Sequence, residues 1–121
     1  WERKITLIVP VPLHSRRKRK RGFNQAEIVA KVLSKNTGIA MDAGAVKRIK
    51  ATSPQKELGD KGRKRNIRGA FAVQKNVKGE NIVLIDDIYT TGSTLDEAAR
   101  VLKKAGAENV YFLTVSIGQG I

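Results

Sequence analysis

Cysteine is absent from the 121 residues, which excludes a disulfide framework and any thiolate metal site, zinc included. Aromatic residues make up 5% of the chain, too few for the interleaved base-stacking platforms that single-strand binders use. Long hydrophobic runs are missing as well. The longest apolar stretch, Ile5–Leu13, is interrupted by Pro10 and Pro12 and is too short to span a bilayer. No charged n-region with a small-residue cleavage site is seen, so neither membrane insertion nor export is expected, and a cytoplasmic location is. Acidic residues are scarce: 11 Asp and Glu stand against 24 Lys and Arg, a formal net charge of +13. The remainder, 40% hydrophobic and 29% charged, suits one soluble domain over residues 1–121. The chain opens on Trp1 and enters a predicted strand within four residues. It is expected to be the C-terminal part of a longer protein.

A charge excess of this size calls for an anionic partner: a phosphate-rich metabolite, nucleic acid or a membrane surface. Its placement narrows the choice. Six of the basic residues form one block, Arg16, Arg17, Lys18, Arg19, Lys20 and Arg21, and nine more lie in Lys47–Arg68. Both segments read as loops. A solvated loop is the plainest explanation of the first block. Its position directly after a predicted strand favours phosphate contact instead, with pyrophosphate or a nucleic-acid backbone both left open.

Periodicity predicts an α/β chain. Strands are expected at Lys4–Val9, Ala45–Ile49, Ala70–Val73, Asn81–Asp86 and Val110–Ser116. A helix is expected over Asn24–Asn36, with Ile28, Val29, Val32 and Leu33 as its apolar stripe, Asn24 as N-cap and Gly38 as stop. A second, Leu95–Ala105, carries Leu95, Ala98, Ala99 and Leu102 on one face and ends at Gly106. Thr52–Arg68 has no clean period and reads as a long basic loop, the kind that in a compact domain is often functional. The alternation of strand and helix argues for a parallel sheet. Phe23 and Phe71 read as core. His14, the single histidine, reads as structural.

The most informative stretch is Val83–Ala98, VLIDDIYTTGSTLDEA. An apolar strand runs into Asp86 and Asp87, then breaks into Thr90, Thr91, Gly92, Ser93 and Thr94 before a helix. Thr94 and Glu97 have the spacing of a capping box. That places Thr91-Gly92-Ser93 just ahead of a helix N-terminus, where unpaired N–H groups and the macrodipole attract an anion. Two adjacent carboxylates repel by about 1 kcal/mol at 4 Å in water and by more when desolvated. A strand end tolerates them if they accept hydrogen bonds from a polyol or hold a divalent cation. A phosphate cradle beside acceptors for a diol suggests a phosphorylated sugar. A lone D-D or T-G would be an ordinary strand–helix turn; the full ordered string outweighs that reading. Neither G-x-x-x-x-G-K-[ST] nor a G-x-G-x-x-G after the first strand is present.

This string resembles the phosphoribosyl pyrophosphate (PRPP) motif of type I phosphoribosyltransferases. Further segments resemble the ComF (ComFC) family in particular, in the same order and over nearly the whole chain. They are Pro10-Val11-Pro12-Leu13-His14, Arg21-Gly22-Phe23-Asn24-Gln25, Thr52-Ser53-Pro54-Gln55, and Arg63 with Asn66 ahead of Gly69-Ala70-Phe71. The resemblance implies a type I phosphoribosyltransferase-like fold, a parallel sheet of about five strands flanked by helices, with a flexible basic loop. It implies that Asp86 and Asp87 contact the ribose hydroxyls and share in holding Mg²⁺ with PRPP, and that Thr90 to Thr94 hold the 5'-phosphate. Arg21, Asn24, Gln25, Gln55, Arg63 and Asn66 would belong to the pyrophosphate and flexible loops. It also implies a role in natural competence, handling single-stranded DNA with the uptake machinery; a second copy of the chain is a further candidate partner.

Two departures from the family pattern stand out. The Cys-rich zinc ribbon that family members often carry is not in this chain. Purine-type transferases usually place a carboxylate where this chain has Thr90, and a threonine cannot serve as general base near pH 7. The expected function is therefore PRPP binding with an open acceptor, either as a phosphoribosyltransferase or as a non-catalytic module for single-stranded DNA or protein that keeps the pocket.

Overall fold

A computed structural model describes residues 4–12, 25–49, 68–87 and 92–115. Their elements, in chain order, are β1 (Leu7–Pro10), α1 (Gln25–Thr37), β2 (Ala40–Met41), β3 (Val46–Arg48), β4 (Phe71–Val73), β5 (Asn81–Asp87), α2 (Gly92–Lys104) and β6 (Asn109–Val115). Four strands form one sheet in the order β2-β1-β5-β6, and every neighbouring pair is parallel. A type I phosphoribosyltransferase-like α/β architecture is thus in place.

The strand order decides where the helices go. From β1 the chain crosses to β2 on one side, and from β5 it crosses to β6 on the other. Parallel crossovers are right-handed almost without exception. Two crossovers of one hand that step in opposite directions must put their helices on opposite faces. The packing agrees. Ala26 and Ala30 of α1 bury against Ile8, Val83 and Ile85, whereas Leu95, Ala98 and Leu102 of α2 bury against Val9, Ile82 and Leu84. Successive residues of β5 thus alternate between two cores, as a strand's period of two requires, and both faces being covered explains its unbroken apolar run.

Three expectations are corrected. The segments around β3 and β4 are strands as predicted, but they pair antiparallel with each other in a separate ribbon, Val46 beside Val73 and Arg48 beside Phe71. They do not extend the parallel sheet, which has four strands among the described residues. Val46 and Phe71 are instead drawn into the core on the α2 side, and the Arg48 guanidinium lies 5.4 Å from the Phe71 ring centroid. The two-residue β2 carries no sequence signal long enough to read. The buried stripe of α1 is also rotated from the predicted one. Ala26 and Ala30 bury fully, Val29 and Leu33 pack at the margin, and Ile28 and Val32 stay 46% and 53% exposed. Alanines let the helix axis approach the sheet closely, and the bulkier residues are left on the flank.

The amino-terminal edge of the sheet is closed by turns. Gly79 donates its N–H to the Gly106 carbonyl at 2.9 Å, and Asn81 both receives Thr6 N–H on its carbonyl and donates to Thr6 Oγ1, each at 2.8 Å. Gly106 has φ +109°, and a Cβ there would lie 3.3 Å from Lys78 Cα. Gly38 ends α1 with φ +77° and open space around it. Left-handed backbone costs an L-residue about 1–2 kcal/mol, and only at Gly106 does a backbone clash add to that. Gly106→Ala should therefore lower the thermal midpoint by more than Gly38→Ala, by about 4 °C or more, as followed by circular dichroism.

Candidate functional site

Strands β1 and β5 are neighbours whose following helices depart to opposite faces. That is a topological switch point, and in open α/β sheets ligands bind in the crevice outside the carboxyl ends of the strands there. Register brings the relevant residues level. Pro10 pairs with Ile85, Val11 donates its N–H to the Ile85 carbonyl at 2.8 Å, and Asp86 and Asp87 stand beside Thr114 and Val115 of β6. The acid pair therefore closes the central strand at the crevice, next to the strand that leads into the first basic segment. Asp86 is 2% exposed. A carboxylate that deep is tolerated only when it is paired or hydrogen-bonded, and Asp86 does take part in interactions within the fold, as does buried Thr94.

On the far side of the β5–α2 connection the local structure differs from the capping-box expectation. Helix α2 starts at Gly92, so Thr94 lies inside its first turn instead of capping it. The Glu97 carboxylate is engaged elsewhere. Its Oε2 accepts the Gly69 N–H at 2.9 Å and Arg100 Nη2 at 2.7 Å, and its Oε1 accepts Arg100 Nε at 2.7 Å. Glu97 is therefore a buried clasp. It holds the chain just ahead of β4 against the helix that carries the hydroxyl motif. The Arg100 hydrogen bonds, helped by the Gly69 N–H and opposed by burial, hold its carboxyl below the ordinary value of 4.5. Sequence reading missed this clasp. The available signal was the Glu97/Arg100 spacing of three, which pairs side chains on one helix face.

The predicted site residues fall into two groups. Asp86, Asp87, Gly92, Ser93 and Thr94 are brought to the two ends of one β–α connection at the crevice. Gln25 is the first residue of α1 and is buried. Arg16 to Arg21, Asn24, Gln55, Arg63, Asn66, Thr90 and Thr91 lie outside the described residues, as do His14, Phe23 and most of the basic loop Thr52–Arg68. Of the 24 Lys and Arg, 11 are on described residues, together with 8 of the 11 Asp and Glu. The scaffold is close to neutral, and ten of the thirteen net charges belong to the segments outside it. Among the described residues no group of three or more His, Cys, Asp or Glu could hold a metal ion, and no helix is long and apolar enough to cross a membrane.

Residues 17–117 match the phosphoribosyl transferase domain family, and the chain belongs to that family. The relatives within it are of the ComF kind, as the motifs anticipated. The chain is 43% identical over 103 residues to DNA utilization protein YhgH of Salmonella typhi, covering 85% of this chain and 45% of that protein. It is 42% identical over 106 residues to Competence protein F of Haemophilus influenzae, covering 85% and 46%. To Competence protein ComFC of Bacillus subtilis it is 36% identical over 111 residues, covering 90% and 43%. The chain thus spans a little under half the length of these relatives. Among solved structures, the allosteric regulatory enzyme of purine biosynthesis superposes with a TM-score of 0.59 at 21% identity, covering 92% of this chain and 22% of that one, a likeness of fold.

The Glu97 clasp has a pH signature. A carboxyl whose folded pKa lies below its unfolded one adds stability that is complete above the ordinary value. That stability is lost as the pH falls through 4.5 towards the lowered folded value. Glu97→Gln keeps an acceptor for Gly69 but no ion pair. Its thermal midpoint should lie below that of the parent at neutral pH, and the gap should close on acidification when both are melted across the acid range.

Proposed function

We propose that this domain binds PRPP, or a closely related phosphorylated sugar, at the β1/β5 crevice. The observation that carries the reading is the placement of Asp86 and Asp87 at the end of the central strand with Gly92, Ser93 and Thr94 opening the helix that follows. Acceptors for a diol and a helix N-terminus suited to a phosphate stand at the two ends of one short connection. In this reading Asp86 and Asp87 accept hydrogen bonds from the ribose hydroxyls. The first-turn N–H groups of α2, with the hydroxyls of Thr90, Thr91, Ser93 and Thr94, hold the 5'-phosphate. The basic segments after β1 and β3 face the pyrophosphate.

The acid pair also suits magnesium. That ion is commonly held by one or two carboxylates while ligand phosphates and water fill the other positions, so no wider cluster of protein ligands is needed. When bound it would offset the charge of the pyrophosphate leaving group. For a transfer reaction the chain's own contribution would be electrostatic: N–H groups and Lys or Arg aimed at developing negative charge. At the sequence position where purine-type transferases usually carry a carboxylate, this chain has Thr90, which cannot take a proton from an acceptor near pH 7. We therefore assign the pocket and leave the acceptor open. The names of the relatives support a role in competence and DNA use for this domain.

The charge segregation supports a second, compatible reading. A near-neutral scaffold with its positive charge on the segments that follow β1 and β3 in sequence would contact a nucleic-acid backbone through those segments, with little base readout from so few aromatics.

Two measurements test these readings. The double substitution Asp86→Asn and Asp87→Asn should abolish the heat of PRPP binding in calorimetric titration with magnesium present. The apolar residues Val83 and Ile85 should keep the fold, as judged by circular dichroism. Full affinity in the folded double variant would remove the sugar assignment. For nucleic acid, the logarithm of affinity should fall with the logarithm of salt, with a slope of about −0.7 per phosphate neutralised on a single strand. Replacing Arg16 to Arg21 with serine should flatten that slope. An affinity independent of salt would rule the backbone contact out.

A further inference from the structure

We propose that Glu97, given the PRPP reading on which this rests, is a positioning residue of the sugar-phosphate site. Without itself contacting the ligand, it fixes the root of the second basic segment relative to the helix turn that receives the 5'-phosphate. Among the described residues β3 and β4 pair only with each other, so no main-chain ladder ties the ribbon to the parallel sheet. Val46, Ala70 and Phe71 share a core with Leu95, Ala98 and Leu102 of α2. Apolar packing of that kind is non-directional and leaves the ribbon's exact placement to a polar contact.

The Glu97 clasp is that contact, and it acts where the basic segment is rooted. Beyond the Arg48–Phe71 pair, Ile49 donates its N–H to the Ala70 carbonyl at 2.7 Å. Gly69, one residue before, donates its own N–H to Glu97 Oε2 at 2.9 Å. Arg68 precedes it and is near enough for its charge to act on the Glu97 carboxyl. Both described ends of the segment that follows β3 are therefore held beside one side chain of α2. The grip is directional. Arg100 Nε and Nη2 donate to the two carboxylate oxygens at 2.7 Å each, a bidentate fork that fixes the plane of the carboxylate. Oε2 is then left facing the Gly69 N–H.

The other end of the link is the proposed phosphate cradle. Helix α2 opens at Gly92, and Glu97 follows it by about 7 Å along the axis. Thr94 of the motif lies one turn ahead of Glu97 on the same helix face, and both are buried. The spacing between the cradle and the root of the basic segment is thus set by one stretch of rigid helix and one hydrogen bond. PRPP carries phosphate groups on both sides of its ribose, so both parts of the site must meet it at once. A misplacement of about 1 Å is enough to cost up to about a hundredfold. A carboxylate this close to an anion site opposes the anion by its charge, which leaves geometry as the reason for its presence.

The test is the ratio of two affinities, for PRPP and for ribose 5-phosphate, each titrated calorimetrically with magnesium well below the thermal midpoint. Ribose 5-phosphate offers the 5'-phosphate and the diol but no pyrophosphate. Glu97→Ala should weaken PRPP by about tenfold to a hundredfold and leave ribose 5-phosphate as in the parent. Glu97→Gln keeps an acceptor for Gly69 and should fall between the two, and it carries the test if the alanine variant does not fold. An unfolded fraction lowers both affinities by one factor and cancels in the ratio. Removal of a negative charge, acting through charge alone, would raise the affinity for PRPP, the more anionic ligand. A ratio of PRPP to ribose 5-phosphate affinity that stays constant or rises in the variants overturns the proposal. A parent chain that binds neither ligand overturns the PRPP reading itself, and the role of Glu97 with it.

Discussion

The structure depends on one constraint, the right-handedness of its two strand–helix–strand crossovers. A parallel sheet can be built only through such crossovers. When one steps outward from β1 and the other steps outward from β5 in the opposite sense, the helices separate to the two faces. The strand ends between them are left uncovered by either helix. The split of β5 between two cores, Ile82 and Leu84 on one side and Val83 and Ile85 on the other, and the crevice beyond Ile85 are both consequences of it. Asp86 and Asp87 are at the crevice because they are the next residues of that strand.

A second layer of organisation separates the neutral scaffold from the charged segments. Burial in the sheet and helices selects against charge, and ten of the thirteen net charges lie outside the described residues. Asp86 and Glu97 are the buried acids among the described residues, and Glu97 shows how one is kept. Its carboxylate is retained inside because Arg100 and the Gly69 N–H satisfy it from two directions. The contact ties the ribbon to the motif helix. Removing one partner of such a group costs more than the contact itself contributes, because the other is left buried and unsatisfied.

Much of this was legible in the residues. The apolar run Asn81–Asp86, the stripe Leu95, Ala98 and Leu102, and the stops Gly38 and Gly106 have short-range causes, namely side-chain periodicity and backbone freedom. They hold in the structure. The ordered string from Val83 to Thr94 was readable for the same reason: a strand, two acids, hydroxyls with a glycine, and a helix start are consecutive. The helix stripe of α1 was read less well. Ile28 and Val32 have the right spacing, but the sheet accepts the smaller Ala26 and Ala30, and the choice between two overlapping stripes is made by how closely the helix must approach.

The sequence by itself determined most element types, the parallel class of the sheet and the position of the acid pair at the end of β5, since each rests on residues close along the chain. Only the tertiary structure decided the strand order β2-β1-β5-β6, the exclusion of β3 and β4 from the sheet, and the use of Glu97 as a clasp in place of a cap. Each of these matches residues far apart in the chain. Gly69 and Glu97 are 28 positions apart, and Pro10 and Ile85 are further apart still. Such contacts are settled by competition among all the surfaces that could bury one another, not by any local preference.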